Sequence, residues 1–367
     1  MSESVFSILE LARESLPSSL FDEEGYAHLA TIAQMFPEEL TTFWGFECRL
    51  GEPEAKADIL FETKKQSRGL SLLAGHTPSS LDTFCEQWPT WQSLRTFAKH
   101  WADPDHLFYN FIRNIWLEFD AAAVASSTQV AEVIRQPCIF FGPEAKAHEK
   151  DQLLSVVLDA LAALGETNLG RSSLQPFIAA LPDGAQLFQV GLMLARVNPG
   201  MRVCVNKLIP EEIPEWLSKL NWSGDTQTLE RLLQKITPLL NTMAVDLNLL
   251  KDRPAEKIGL ECYMDWLVDD SKQWIPLLDF IEELNLCLPQ KRQGFLNFPG
   301  ITQNPPHKRL SDGGVLYLNL FRKIHHIKLS LAEGQVVEAK AYLALSRPGI
   351  YFGNSLNGDL RDAWIGE

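Results

Sequence analysis

Glu118 stands in the run Asn114-Ile115-Trp116-Leu117-Glu118-Phe119-Asp120, a carboxylate among aromatic and branched residues. A carboxyl group so placed must be hydrogen-bonded or ion-paired, and burial raises its pKa toward the range useful for taking a proton. The placement recurs. Gly45-Phe46-Glu47-Cys48 and Gly259-Leu260-Glu261-Cys262 repeat the order of Trp116-Leu117-Glu118-Phe119: one position, an apolar residue, Glu, then an apolar residue or Cys. Glu118 and Glu261 are the candidate catalytic carboxylates. Arg202, Lys340, Tyr342, Tyr263, Trp116, Glu47, Asp246 and Asn206 are the candidate substrate-binding residues. The faces of Trp116 and Tyr263 suit the shielding of a carbocation, and Lys340, Tyr342 and Arg202 suit an anion. Each also has a structural reading. Glu118 pairs equally well with Arg49 or Arg202, Trp116 and Tyr263 with the core, and Lys340 with Glu338 or Glu261.

Other chemistry is poorly supported. There is no Walker loop, GxGxxG, GxSxG or HExxH. No Cys pair has CxxC spacing, and no metal site is expected. His325 and His326 are adjacent on an expected strand, so at most one faces inward. His100 and His106 flank Asp103-Pro104-Asp105, which reads as a loop. Asp265, Asp269 and Asp270 follow a strand and read as helix caps rather than a metal-binding DDxxD. Pro305-Pro306-His307-Lys308-Arg309 reads as a basic surface loop.

The elements that must position these residues are five strand pairs. Residues 43–50 and 57–63 form the first, 114–120 and 137–142 the second, and 185–197 and 201–208 the third. Residues 243–250 and 257–264 form the fourth, and 323–331 and 337–345 the fifth. All alternate with period two, and four of the five flank a short turn holding Gly or Pro. Helical spacing fills the gaps, commonly twice per gap: 79–101, 151–164, 171–181, 211–221, 226–236 and 270–284. Adjacent strand pairs exclude a parallel βαβ series. Alternation places Ile115, Leu117 and Phe119 opposite Trp116, Glu118 and Asp120, and Val203 and Val205 opposite Arg202, Cys204 and Asn206. The expected fold class is α+β: a closed antiparallel ten-stranded barrel of consecutive hairpins with helices outside, in repeated ββαα order. Its inner set is Glu47, Glu62, Glu118, Asp120, Asp246, Glu261 and Glu338 against Arg49, Arg202, Lys328 and Lys340, an acidic lumen. Residues 1–40 are expected to be two amphipathic helices packing on the barrel, as a lid or against one end, and 41–367 the barrel itself, a single domain overall.

Composition bounds the partners. The chain has 367 residues, 46% of them hydrophobic, and a formal net charge of −14. That is a globular composition with no general attraction for nucleic acid or anionic lipid. No apolar run approaches the roughly 20 residues of a membrane span, and Glu3 without an early Lys or Arg argues against a secretory leader. A cytoplasmic monomer or homodimer, with neither nucleic acid nor membrane as partner, is expected.

Ten antiparallel strands in consecutive hairpins ringed by helices resemble the ABBA, or PT-barrel, aromatic prenyltransferase superfamily, in its soluble bacterial and cyanobacterial type. The resemblance covers roughly residues 40–352 and rests on element order more than on a motif. It implies a lumen holding an allylic diphosphate beside an aromatic acceptor: indole, phenol, or a Tyr or Trp of a peptide. It implies an allylic cation shielded by aromatic faces, a carboxylate that takes a proton, and action without an Asp-rich metal motif. Lys340-Ala341-Tyr342 is similar to a K-x-Y strand motif whose Lys and Tyr hold diphosphate oxygens. Arg202 and Asn206 resemble the basic strand of a middle hairpin, with Cys204 where a Lys is expected. Glu118 resembles the acceptor-binding carboxylate, and Glu261-Cys262-Tyr263 occupies a K-x-Y-like place with Glu for Lys. The implied activity is prenyl transfer to an aromatic or amine-bearing acceptor in natural-product biosynthesis, including peptide modification. No tightly bound cofactor is implied, and Mg2+ would accompany the diphosphate. An acidic lumen equally suits a tailoring enzyme working by acid/base cyclisation, or a protein that binds a peptide or metabolite unchanged.

Overall fold

The computed structural model describes residues 4–41, 43–123, 127–144, 149–166, 170–196, 200–251, 253–265, 271–303, 308–309, 315–347, 349–352 and 364–365. Ten strands form its centre: β1 (Phe43–Arg49), β2 (Ala57–Lys64), β3 (Ile112–Phe119), β4 (Cys138–Pro143) and β5 (Gln186–Leu192). They continue as β6 (Met201–Asn206), β7 (Thr242–Leu249), β8 (Pro254–Tyr263), β9 (Leu320–Ala332) and β10 (Gln335–Ser346). Consecutive strands pair antiparallel throughout, and β10 pairs with β1 as well as β9, so the sheet closes on itself. Closure pairs each of the ten strands on both sides, and the one addition is a short strand, Gly300–Thr302, on the start of β9.

Turn chemistry fits the hairpins. Ala332 pairs with Gln335, leaving Glu333 and Gly334 as a two-residue loop with φ of +52° and +68°. Positive φ at both positions matches the right-handed twist of the flanking strands, and Gly334 meets it without a Cβ clash.

Alternation sorts the side chains. Ile115, Leu117, Phe119, Val203, Val205, Val245, Leu247, Leu260 and Ala341 point outward and are buried under helices in one continuous apolar core. Lys150–Ala163 buries Leu153, Leu154, Val157 and Leu161. Thr226–Ile236 buries Leu229, Leu232, Leu233 and Ile236, and the Asp225 carboxylate accepts from the amides of Gln227 and Thr228 to cap it. Trp101 and Trp91 donate their indole N–H groups to the carbonyls of Ile112 and Ile134, each at 2.9 Å.

Four expectations need correction. The helical stretch 79–101 is two helices, Leu81–Gln87 and Pro89–Ala102, because Trp88 before Pro89 is held extended (φ −126°, ψ 124°). The first strand of the third hairpin ends at Leu192 instead of residue 197. The helix Val5–Ala12 does not cap a barrel end: Val5, Ile8 and Leu9 lie against Trp44, Phe46, Ile59 and Leu345 on the outer wall. A separate four-stranded sheet of residues 308–309, 315–318, 349–352 and 364–365 was not expected at all. Asp252, Asn198, Pro199, Asp269, Asp270 and Pro305 to His307 lie outside the described residues. Among the described residues, no helix is long and apolar enough to cross a membrane, and all six Cys are free thiols.

Candidate active site

The inward side chains enclose a cavity of about 280 Å³, near the lower end of the range for small-ligand sites. One part of its wall is aromatic and apolar: Phe43, Leu60, Trp116, Phe140, Phe188 and Met193. Phe43 and Trp116 meet edge to face with ring centres 5.6 Å apart. The rest is charged. Five carboxylates (Glu47, Glu118, Asp246, Glu261, Glu338) face five cations (Arg196, Arg202, Lys257, Lys328, Lys340).

The five cations are already paired. Arg202 donates to Asp246 at 3.0 Å and to the side-chain oxygen Oδ1 of Asn248 at 2.6 Å. Lys328 reaches the same Asp246 carboxylate. Lys340 bridges Glu47 at 2.8 Å and Glu338 at 3.4 Å, and Lys257 meets Glu338 at 3.1 Å. Arg196 spans Glu118 and Asp120, each at 3.1 Å. Gly259 makes room for this packing, since a Cβ there would meet Asp246 Oδ1 at 2.4 Å and Lys328 Cε at 2.5 Å. Two tyrosines add hydrogen bonds: Tyr342 donates to Glu47, and Tyr263 donates to Glu261 at 2.5 Å.

Electrostatics separate the carboxylates by role. Glu118 is 5% exposed. Burial, aided by the nearby Glu47 charge and opposed by Arg196, pushes its pKa up to about 8. Burial also raises Glu261, with Asp246 adding to the effect. Burial works in the same direction on Glu47, but Lys340 and Arg49 outweigh it and hold that carboxyl below its usual range. Asp246 behaves likewise: burial raises it, and Arg202 and Lys328 bring the net shift down. The lumen therefore contains carboxylates locked in the charged form, Glu47 and Asp246, beside Glu118, which is poised to exchange a proton near neutral pH.

No protein-family model matches this sequence, and no curated protein sequence matches it. Solved structures do. The 5-dimethylallyltryptophan synthase from Streptomyces coelicolor superposes with a TM-score of 0.53 over 93% of this chain and 97% of that one, at 13% identity. A second structure of that enzyme, in complex with DMASPP and Trp, superposes with the same TM-score and identity over 93% and 95%. The chain has the PT-barrel fold.

Within this PT-barrel, Glu118, Glu261, Glu47, Arg202, Lys340, Tyr342, Tyr263, Trp116 and Asp246 all line the one cavity. Asn206 does not: it lies on the inward-facing register of β6, outside the lining set, with its Oδ1 buried and without a hydrogen-bond partner. Glu62, Asp120 and Arg49 are also outside the lining. Glu62 accepts from Asn114 at 2.6 Å, and Arg49 is held by Asp58 at 2.8 Å. The expected acidic excess gives way to an even count, because Glu62 and Asp120 drop out with Arg49 while Arg196 and Lys257 join the wall. Lys257 shares its parity with Glu261 and Tyr263, a signal the alternation already contained. Arg196 lies beyond the end of β5, and only the fold brings it to Glu118, in place of Arg49 or Arg202.

The largest departure concerns the histidines. His325 and His326 both line the cavity. In the β9–β10 ladder Ile324 pairs with Leu343 and His326 with Tyr342, so His325 is an extra residue. This bulge breaks the period-two rule that would have sent one ring outward. His326 stacks on Tyr342 with centres 4.1 Å apart at 11°.

Proposed function

We propose that this chain is a prenyltransferase that moves an allylic group from a diphosphate donor to an aromatic acceptor inside the barrel. One observation carries the reading: the enclosed PT-barrel cavity brings aromatic faces, cationic side chains and a proton-exchanging carboxylate into a single space. The complex of the S. coelicolor enzyme with DMASPP and Trp supports a prenyl diphosphate and an indole-type acceptor here. In the proposed reaction the donor C1–O bond breaks and its electron pair leaves with the diphosphate. Trp116, Phe43 and Tyr263 shield the allylic cation. A π pair of the acceptor forms the new bond to C1, and the proton released goes to Glu118, with Glu261 as a second carboxylate within the lumen.

Arg202, Lys328, Lys340 and Lys257, with Tyr342 and Tyr263, are proposed to hold the diphosphate. Each of these cations is paired with a carboxylate, so the donor must exchange partners with Asp246, Glu47 and Glu338. The displaced carboxylates of Asp246, Glu47 and Glu338 are hard oxygen ligands that would hold Mg2+ accompanying the diphosphate, and the ion would supply positive charge between them and the phosphate oxygens. An acceptor carrying an amine, including Trp or Tyr within a peptide from natural-product biosynthesis, is the finer part of the proposal, and the Trp bound in that S. coelicolor complex supports it.

The test is product analysis by mass spectrometry. Dimethylallyl and geranyl diphosphate are offered with indole, L-tryptophan, L-tyrosine and Trp- or Tyr-containing peptides, with and without Mg2+. A mass gain of one prenyl unit on an acceptor, faster with Mg2+, is the expected result. No product and no donor binding sinks the reading. The complete internal pairing of the cations favours a second one, in which the lumen needs no diphosphate and performs acid/base cyclisation or retains a metabolite. Turnover or retention of a ligand without any diphosphate distinguishes it.

A further inference from the structure

His326 is 7% exposed, lines the cavity, and leaves its Nε2 buried without a hydrogen-bond partner. A buried ring nitrogen without a partner is costly, and native structures rarely keep one unless a ligand or water completes it. The ring is otherwise tightly held. It stacks on Tyr342, lies 4.9 Å from the Tyr263 ring at 35°, and its Nδ1 is 2.6 Å from Nδ1 of His325.

That last contact constrains the protons. Two nitrogens at this distance share one hydrogen, so one Nδ1 donates and the other accepts. With both rings neutral, the two Nε2 atoms must then be in opposite states, one N–H and one bare. Burial favours neutrality, holding His325 down at about 4 and His326 well below its usual range. If His326 Nδ1 carries the shared hydrogen, its Nε2 is a bare, buried acceptor on a ring that lines the cavity.

We propose that His326 contacts the aromatic acceptor directly, its Nε2 accepting a hydrogen bond from an N–H or O–H of that molecule, and that His325 is a positioning residue which sets the tautomer. The bulge at His325 is the structural device, since without the extra residue the two rings would lie on opposite faces and could not share a hydrogen. The proposal rests on the reading that the barrel holds an aromatic acceptor, and it deepens that reading by naming what the acceptor must offer: a hydrogen-bond donor on the ring system, as in indole or a phenol.

The experiment uses the full chain with 15N-labelled histidine side chains. The ring-nitrogen resonances of His326, assigned by loss in His326→Gln, are recorded with indole and with 1-methylindole, which has no N–H. Prenylation of indole by dimethylallyl diphosphate is measured in parallel. The expected result is a His326 Nε2 resonance that moves with indole and not with 1-methylindole, and a redistribution of His326 tautomers in His325→Phe. His326→Phe keeps the stack on Tyr342 and is expected to raise KM for indole roughly two- to tenfold, the loss of one hydrogen bond, with kcat less affected. His326→Gln, which restores a polar atom near the Nε2 position, recovers most of it. If His326→Phe fails to fold, as judged by its melting curve, the wild-type resonances and the Gln variant carry the test. Prenylated indole with a motionless His326 resonance overturns this contact and leaves the transferase reading intact. A moving resonance without product keeps the contact and overturns the transferase reading. A motionless resonance and no product overturn both.

Discussion

Glu118 is the residue whose chemistry is most sharply defined. Its carboxyl is pushed from 4.5 to about 8, first by burial and then by the Glu47 charge, while Arg196 at 3.1 Å pulls the other way. Two outcomes follow. If the ionised form takes the acceptor proton, the rate rises with pH through about 8, and Glu118→Gln removes that limb together with roughly 100-fold or more of kcat; the kcat–pH profile of both proteins reads it. Stability runs the opposite way. The unfolded chain gives up this proton near pH 4.5 and the folded chain only near 8, so the group lowers folding stability progressively between those values. Glu118→Gln lifts that penalty, and its melting temperature is expected to exceed that of the wild type by more at pH 8 than at pH 5. A gap that shrinks with rising pH overturns the assignment. Trp116 and Tyr263 were readable from the sequence as aromatic residues on the same strand faces as the candidate carboxylates. Arg196 was not, because the expected strand 185–197 stops at Leu192 and the residues beyond it do not keep strand parity.

Individual elements decide which side chains share the lumen. Period-two alternation placed Trp116 and Glu118 on β3, Arg202 and Cys204 on β6, Asp246 and Asn248 on β7 and Glu338, Lys340 and Tyr342 on β10, while Asp120 and Asn206 fall outside the lining. It failed on β9, where one bulge admits both His325 and His326. A bulge leaves no mark in residue type here, so the failure is a matter of pairing register, which depends on the neighbouring strand. On β8 the sequence shows Gly259 only as a weak strand former; the tertiary structure shows why Gly is suited to that site. Its missing side chain leaves space for Asp246 to meet both Arg202 and Lys328. Gly259→Ala is therefore expected to destabilise by about 1–3 kcal/mol through overpacking, measured by denaturant unfolding. The same change at Gly184, where an added Cβ would have nothing within 4 Å but φ is +83°, tests backbone strain alone.

At the scale of the whole molecule, closure depends on the seam between β10 and β1. Glu47 pairs in register with Tyr342, accepts from its hydroxyl, and meets Lys340 at 2.8 Å, so one buried carboxylate ties the two strands that complete the barrel. Removing one member of a buried pair leaves the other uncompensated. Lys340→Met is expected to cost about 3–5 kcal/mol, and the double change Lys340→Met with Glu47→Leu to recover a large part of it; guanidinium unfolding at pH 7 reads both. The sign with pH follows from Glu47, which Lys340 and Arg49 hold below the usual carboxylate range against the opposing effect of burial. Its stabilising contribution is complete above the unfolded-state pKa and is lost in acid as the folded group takes a proton. Acid sensitivity of the unfolding midpoint is thus expected to fall in the double variant.

Ten strands, their pairing as consecutive hairpins, and the sorting of apolar from polar faces were all legible in the amino-acid order. They follow from local periodicity and turn composition, and the chain carries both along its own length. Four features are encoded by no local pattern: the balance of five cations against five carboxylates, the pairing of Arg196 with Glu118, the admission of both histidines, and the placement of the first helix on the outer wall. Each of these depends on closure, register and stagger between strands far apart in the chain, and such relations exist only after the barrel has formed.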